Sequence, residues 1–331
     1  MAEIRESYIL STGSYLPEKV LSNKDLESIV ETSEDWILSR TGIEERRIAA
    51  ENEFTSDMAA AAAKDALEKA KKNIEDIDLI LVATSTPDYM CPSAASIIQE
   101  KLGADSIPAM DVNAACTGYV YGLSMAKAFV ESGSYDNILL IASEKLSFIV
   151  DYEDRTTCIL FGDGAGASII SSKGPGLKIK SINLGADGKQ AGILGVEAGG
   201  CKVPASKESV ENKKHFLKMN GREVFKHAVR RMAKCVQDVC AKEGITDTDI
   251  DYLVPHQANI RILDALTERF NMPKEKVFKT VNKYGNTSAS SIIIALDEML
   301  KEKQPKDGEN VILVAFGAGL TWGSCLLTVS Q

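Results

Sequence analysis

The sequence predicts an α/β protein of two similar halves, in which helices pack over a largely buried sheet. Two observations predict it. Apolar, strand-length runs alternate with helix-length segments, the pattern of strands covered on both faces. The same pattern also occurs twice at one spacing. Ile77-Asp78-Leu79-Ile80-Leu81-Val82-Ala83 is echoed by Ile250-Asp251-Tyr252-Leu253-Val254-Pro255-His256, and Asn137-Ile138-Leu139-Leu140-Ile141-Ala142 by Asn310-Val311-Ile312-Leu313-Val314-Ala315. Asp78 to Asp251 and Asn137 to Asn310 are each 173 residues. Short apolar runs match often by chance, but one offset recurring at two distant places favours duplication. The Gly-rich, polar stretch at about 175–215 reads as the connection. Residues 1–174 then form an N-terminal half and residues 175–331 a C-terminal half. Two halves related by a pseudo-twofold axis bring equivalent strand-end loops together, and strand ends are where α/β folds place ligands.

Composition narrows the function. The 331 residues are 44% apolar and 26% charged, enough for a substantial core. A net charge of −9 argues against a nucleic-acid binder, whose footprint is a basic surface. Apolar runs such as Ile292–Leu296 fall far short of the ~20 residues that cross a bilayer. The opening MAEIRESYIL carries mixed charge and no basic leader, so a cytoplasmic protein is expected. The seven cysteines form no CxxC pair, and no His stands at metal-ligand spacing, so neither a metal nor a disulfide framework is expected.

One cysteine differs from the rest. In AMDVNAACTGYVYGLSMAKAFVESG a short strand ends near Val112, turns through small residues, and continues as a helix from about Thr117 to Glu131, with Gly133 as its stop. Cys116 thus lies at a helix N-terminus, where exposed N–H groups and the helix dipole are expected to favour thiolate. Its own N–H is placed to help bind an oxyanion. A packed small hydrophobe is the ordinary alternative. Only three histidines exist. His215 and His227 lie in Lys-rich or helical surface sequence, whereas His256 ends an apolar strand in the second half and precedes the helix QANIRILDAL. Asn286, in KYGNTSASSIIIAL, occupies another Gly-containing turn onto a helix; taken alone it reads as a helix cap. Phe161-Gly162-Asp163-Gly164-Ala165-Gly166 lacks the full dinucleotide-binding and P-loop patterns and reads as tight packing.

Together STGSYLPE, EDWILSRTGIEER, DVNAACTG, ILFGDGAGA, VPHQANIRI, YGNTSASS and FGAGLTWGS closely resemble the β-ketoacyl-acyl-carrier-protein synthase III family. These pieces run from about residue 11 to 325, in order. The resemblance implies a thiolase-like, five-layered αβαβα fold with two pseudo-symmetric halves, normally a homodimer. It implies that Cys116, His256 and Asn286 are catalytic, in the Cys-His-Asn set of initiating condensing enzymes rather than the two-histidine set of elongating ones. Cys116 would take an acyl group from acyl-CoA, which is a substrate, so no cofactor is expected. A malonyl group on acyl carrier protein would then lose CO₂, and its carbanion would attack the acyl-cysteine. The turn Phe316-Gly317-Ala318-Gly319 would help hold the oxyanion, with Ala318 where the family often has Gly.

The resemblance also assigns binding. Trp36, Arg40, Thr41 and Arg155 match CoA-contacting positions, and Gly221 and Asn259 would line the pantetheine path. Cys91 stands where many members place a bulky aromatic, which together with Phe316 would shape a roomier acyl pocket. Arg222, Lys226, Arg230 and Lys234 recur every four residues on one helix, with Arg231 alongside. A solvated face is the bland reading, yet in so acidic a chain the stripe suits an acidic carrier protein. Gln257, Ala258, Asn259, Ile260 and Arg261 form the matching docking segment. Three other activities remain open: priming in secondary metabolism, a non-catalytic thiolase-like subunit, and a Cys-His-Asn thioesterase.

Overall fold

The computed structural model describes residues 5–331. The chain opens with β1 (Tyr8–Tyr15), β2 (Lys19–Ser22), α1 (Asn23–Glu27), α2 (Glu34–Thr41) and β3 (Glu45–Ile48). Next come α3 (Thr55–Ala70), β4 (Leu79–Ala83), α4 (Ala94–Lys101), β5 (Ala109–Val112), α5 (Gly118–Glu131), β6 (Asn137–Glu144) and β7 (Gly164–Ser171). They are followed by β8 (Gly176–Ala186), β9 (Leu194–Val196), α6 (Lys207–Glu211), β10 (Leu217–Met219) and α7 (Gly221–Glu243). The chain ends with β11 (Tyr252–Pro255), α8 (Ile260–Arg269), α9 (Val281–Tyr284), α10 (Ser290–Lys303), β12 (Asn310–Gly317) and β13 (Thr321–Ser330).

Nine strands form one continuous ladder in the order β11-β12-β13-β8-β1-β7-β6-β4-β5. Outward from the β1/β8 seam the two wings run alike. One is β1-β7-β6-β4-β5. The other is β8-β13-β12-β11, ending in a parallel bridge from Leu253 to Val277 where the first wing has β5. In both wings the inner parallel pair, β4 with β6 and β11 with β12, is followed by an antiparallel neighbour.

Alternation along the strands builds the layers. Leu79, Leu81 and Ala83 face one way and join α5, α10 and the apolar face of the other wing in one core. Ile80 and Val82 face the opposite way, onto α3 and α4. In the second wing Ile312 and Val314 meet α7 and α8, while Val311 and Leu313 join the central core. The sequence of layers is therefore helix, sheet, helix, sheet, helix. Each fully buried Leu or Ile contributes roughly 1.5–3 kcal/mol, so a strand with both faces covered is held from two sides. Close layers need small residues: a Cβ on Gly13 would lie 2.4 Å from the Ala66 nitrogen, which explains the alanine-rich face of α3.

One expectation needs correction. The stretch read as a connection contains β8, an 11-residue strand that pairs with β13 along its length and with β1 at its start. Its alternating Leu177, Ile179, Ile182 and Leu184 were masked by interleaved Lys, Ser and Asn. The Gly-rich run behaves as packing: a Cβ on Gly162 would meet the Tyr284 carbonyl at 2.4 Å, and one on Gly166 would meet Ile293 at 2.4 Å. Among the described residues no helix is long and apolar enough to cross a membrane.

Candidate active site

Two strand-end turns and the turn between α9 and α10 converge on one cavity of about 690 Å³, and Cys116, His256 and Asn286 all line it. The first turn leaves β5, passes Ala115 at φ 46°, and enters α5 through a single 3-10 turn over Ala115–Thr117. That left-handed residue is what folds the chain sharply enough to put Cys116 at the helix start. The Thr117 hydroxyl donates to the Ala114 carbonyl at 2.7 Å, and Thr321 reaches the same carbonyl at 3.1 Å, so the turn is tied to β13. Ser288, 173 residues beyond Ala115, is also left-handed, at φ 53°.

His256 follows β11, its backbone N–H donating to the Val314 carbonyl at 2.8 Å. Its Nδ1 lies 2.7 Å from Ser291 Oγ, which also accepts the Gln257 N–H at 3.2 Å. Ser291 is thus placed to donate its proton to Nδ1, the tautomer in which Nε2–H is free to donate. Asn286 is pinned between Leu160, whose carbonyl accepts its N–H at 2.8 Å, and Gly162, which donates to its carbonyl at 3.1 Å. Its side-chain oxygen accepts the Ser288 N–H at 2.8 Å. The amide NH₂ is therefore the end left for the cavity.

Burial sets the charges. The Cys116 thiol is pushed up to about 11, first by removal from water and then by the Glu144 carboxylate, against the pull of a Ser288 hydrogen bond. Burial here outweighs the preference of the helix end for thiolate. A helix end supplies about 1 kcal/mol or less in most settings, whereas one pH unit corresponds to about 1.4 kcal/mol. Burial likewise pulls His256 down to about 4, so its imidazole is neutral. At rest the site holds a thiol, a neutral imidazole and a carboxamide, three uncharged groups around one cavity.

Residues 110–188 match the family 3-Oxoacyl-[acyl-carrier-protein (ACP)] synthase III, and residues 240–329 match its C-terminal family. A beta-ketoacyl-[acyl-carrier-protein] synthase III of Chlamydia caviae is 56% identical over 326 residues, covering 98% of this chain and 97% of the relative. The chain belongs to the 3-oxoacyl-[acyl-carrier-protein] synthase III family. The crystal structure of the Aquifex aeolicus synthase III has TM-score 0.89 and 45% identity, covering 97% of this chain and 99% of that one. The priming β-ketosynthase of the R1128 polyketide pathway has TM-score 0.91 and 34% identity, covering 100% and 98%. As a family member the chain is an acyltransferase-class condensing enzyme with the thiolase-like fold, of the kind that initiates fatty acid synthesis without a cofactor.

The remaining expected residues divide. Arg40, Gly221 and Asn259 line the cavity, as do Phe316 and Ala318. Gly317 ends β12 so close to the nucleophile turn that a Cβ there would lie 2.8 Å from the Cys116 nitrogen. Gly319, at φ 130°, gives the following turn a backbone that side chains rarely adopt. Beside the cavity mouth the half-buried Trp36 ring has the guanidinium of Arg40 at 4.9 Å and that of Arg155 at 5.2 Å. A base stacking between Trp36 and Arg155 must displace the arginine. Thr41 does not reach the cavity: it is buried, its hydroxyl donating to the Ile37 carbonyl and accepting the Ile43 N–H. Cys91 is exposed and outside the cavity lining of its own chain.

Arg222, Lys226, Arg230 and Lys234 are exposed along α7, and Arg261 joins them at the cavity mouth. Gln257 and Ile260 do not belong to that surface. Gln257 is buried, spending its amide on the carbonyls of Pro255 and Phe278 and its oxygen on the N–H groups of Thr280 and Val281. Ile260 packs against Gly42, where a Cβ would come within 2.5 Å. His227, expected on the surface, faces inward from α7 and is 9% exposed. Glu144 and Ser288 were not anticipated in the site. A carboxylate closing β6 behind the apolar run 138–142 was the available signal.

Proposed function

We propose that Cys116 takes the acyl group of an acyl-CoA as a thioester, and that His256 and Asn286 then promote decarboxylation of malonyl-ACP. The observation that carries this reading is the convergence of sulfur, imidazole and carboxamide, from three separate turns, on one cavity. Decarboxylation leaves an enolate whose oxygen needs donors that carry no proton to lose at neutral pH. The Nε2–H of a neutral His256 and the NH₂ of Asn286 meet that need. The backbone at Cys116 and the Gly317-Ala318-Gly319 turn supplies the oxyanion donors, a set whose loss costs about 10²–10³ in rate. The carbanion attacks the acyl-cysteine and forms the carbon–carbon bond; the bond from the acyl carbon to the Cys116 sulfur breaks, and the departing thiolate regains its proton from water.

CoA enters along Trp36, Arg40 and Arg155 and threads its pantetheine arm past Gly221 and Asn259. The carrier protein docks on Arg222, Lys226, Arg230 and Arg261. The protein acts as a cytoplasmic homodimer of two-half subunits, divided near residue 174, in which Cys91 meets the acyl pocket of the second copy. Priming of a polyketide is the second reading, favoured by the likeness to the R1128 enzyme. Intact-protein mass spectrometry after incubation with acyl-CoA tests the first step. The wild type gains one acyl mass and Cys116→Ala gains none; persistent label on the variant refutes the assignment. Product formed with malonyl-ACP against malonyl-CoA separates the two acceptors.

A further inference from the structure

Arg231 stands beside the basic stripe of α7 in sequence but turns away from it in space. Its side chain is 30% exposed, against 69% for Lys226 and 67% for Lys234. The guanidinium carbon lies 4.2 Å from the centre of the Trp322 ring, and Nη2 pairs with Asp187 Oδ2 at 3.2 Å. A flat guanidinium can stack and pair at once, which a lysine ammonium does poorly. Trp322 is itself wedged. Its ring packs on the core that α7 and α8 share with β12, and a Cβ on Gly185 would come within 2.4 Å of it.

Asp187 leads from this clasp to the reaction site. It follows β8 directly, and its other carboxylate oxygen accepts the Lys189 N–H at 3.3 Å. Its backbone makes two hydrogen bonds with Leu320: the Asp187 N–H donates to the Leu320 carbonyl at 2.8 Å, and the Leu320 N–H donates to the Asp187 carbonyl at 3.0 Å. This exchange carries the β8–β13 ladder one pair past Ala186 and Thr321. Leu320 is buried and directly follows Gly317-Ala318-Gly319. The turn between β12 and β13 is therefore tied twice. Thr321 Oγ1 fastens it to the nucleophile turn, reaching the carbonyls of Ala114 at 3.1 Å and Ala318 at 3.0 Å. The Asp187 pair fastens it to the end of β8.

We propose that Arg231 and Asp187 are positioning residues for the Gly317-Ala318-Gly319 turn, which rests on the reading above of that turn as a source of oxyanion donors. Backbone donors stabilise a developing charge only where they are fixed before it forms. The last pair of a ladder beside a glycine turn is where backbone opens most easily. Arg231 holds Asp187 against α7 and Trp322, and so keeps the Leu320 corner from moving. Acyl loading and condensation both pass through a tetrahedral oxyanion at this place. Both depend on the clasp, whereas docking of a carrier protein on the exposed face of α7 does not.

The test separates a clasp from a docking cation. Rapid-quench mass spectrometry of Cys116 acylation gives a rate constant at saturating acyl-CoA and the fraction of protein that loads. Condensation with malonyl-ACP gives kcat and KM. Arg231→Gln lowers the saturated acylation rate constant and the condensation kcat together by roughly tenfold, part of the ~10²–10³ that a lost oxyanion donor costs. Half-saturating acyl-CoA and the KM for malonyl-ACP stay unchanged. Asp187→Asn matches it, the double variant is no slower than either single one, and Arg231→Lys recovers part of the rate. A raised KM for malonyl-ACP with wild-type acylation overturns the proposal and returns Arg231 to the docking stripe. A lower Tm or a smaller loading fraction with an unchanged rate constant also overturns it, marking a purely structural role. So do single effects that multiply in the double variant. Gly317→Ala disturbs the same turn without touching the clasp. If it is slow and Arg231→Gln is not, only the clasp fails; if both acylate at the wild-type rate, the turn holds no oxyanion and the underlying reading fails with it.

Discussion

Gly317→Ala is the sharpest test of how tightly the two halves of the site are set against each other. The added Cβ would stand 2.8 Å from the Cys116 nitrogen, 3.2 Å from its Cβ and 3.2 Å from the Thr117 nitrogen. An ordinary carbon contact needs about 3.5 Å, so the end of β12 and the nucleophile turn must separate by roughly 0.7 Å. Both partners are backbone, tied to the sheet and to α5, so no side chain can swing away. Overpacking of this kind costs about 1–3 kcal/mol. For a chain this long that lowers Tm by about 2 °C per kcal/mol, a fall of roughly 2–6 °C by calorimetry. The displacement also moves the oxyanion donors and the sulfur apart, and a misplacement near 1 Å costs about 10²-fold in rate. The acylation rate, followed as the acyl adduct on intact protein, should drop by at least tenfold. Acylation within twofold of wild type with an unchanged Tm would show that the turns have slack, and the close-approach reasoning would fall.

Other outcomes follow from the same geometry. Because His256 is held near 4 in the folded state and titrates near 6.5 when unfolded, the unfolded chain binds the extra proton between those values. Stability is therefore lost as pH falls from 6.5 toward 4, by roughly 3 kcal/mol. Urea midpoints across that range should show the slope, and His256→Asn should flatten it. Asp297 is almost fully buried and holds Thr12, Ser14, Lys69 and Lys301 on its two oxygens. Asp297→Ala should cost about 3 kcal/mol, seen in Tm, while folded protein still acylates normally. Charge reversal at Lys226 and Arg261 should raise KM for malonyl-ACP several-fold, weaken its salt dependence and leave CoA loading unchanged; no change with salt or reversal counts against docking there.

Much of this site was legible in the sequence because its turns carry local signatures. Small residues before Cys116, a histidine ending an apolar strand and a Gly-Asn turn before a helix each announce themselves within a few residues. Other features depend on neighbours distant in sequence. Thr41 and Gln257 carry polar groups that the fold consumes internally, and Ile260 is claimed by Gly42, so three plausible contacts turned into packing. His227 shares a helix with exposed cations and still faces the core. The Cys116 environment could not be read locally either, since the helix end favours the thiolate while the walls that exclude water come from other segments. Glu144 and Ser288, from different halves, meet only in three dimensions. β8 escaped notice because its polar face obscured its alternation.

The high proton affinity of Cys116 has a consequence beyond turnover. Oxidants and electrophiles attack thiolate rather than thiol, and burial that pushes the Cys116 thiol up to about 11 leaves little thiolate at neutral pH. On the proposed reading, in which Cys116 carries the acyl group, the sulfur is thereby shielded from peroxide while it stands unloaded.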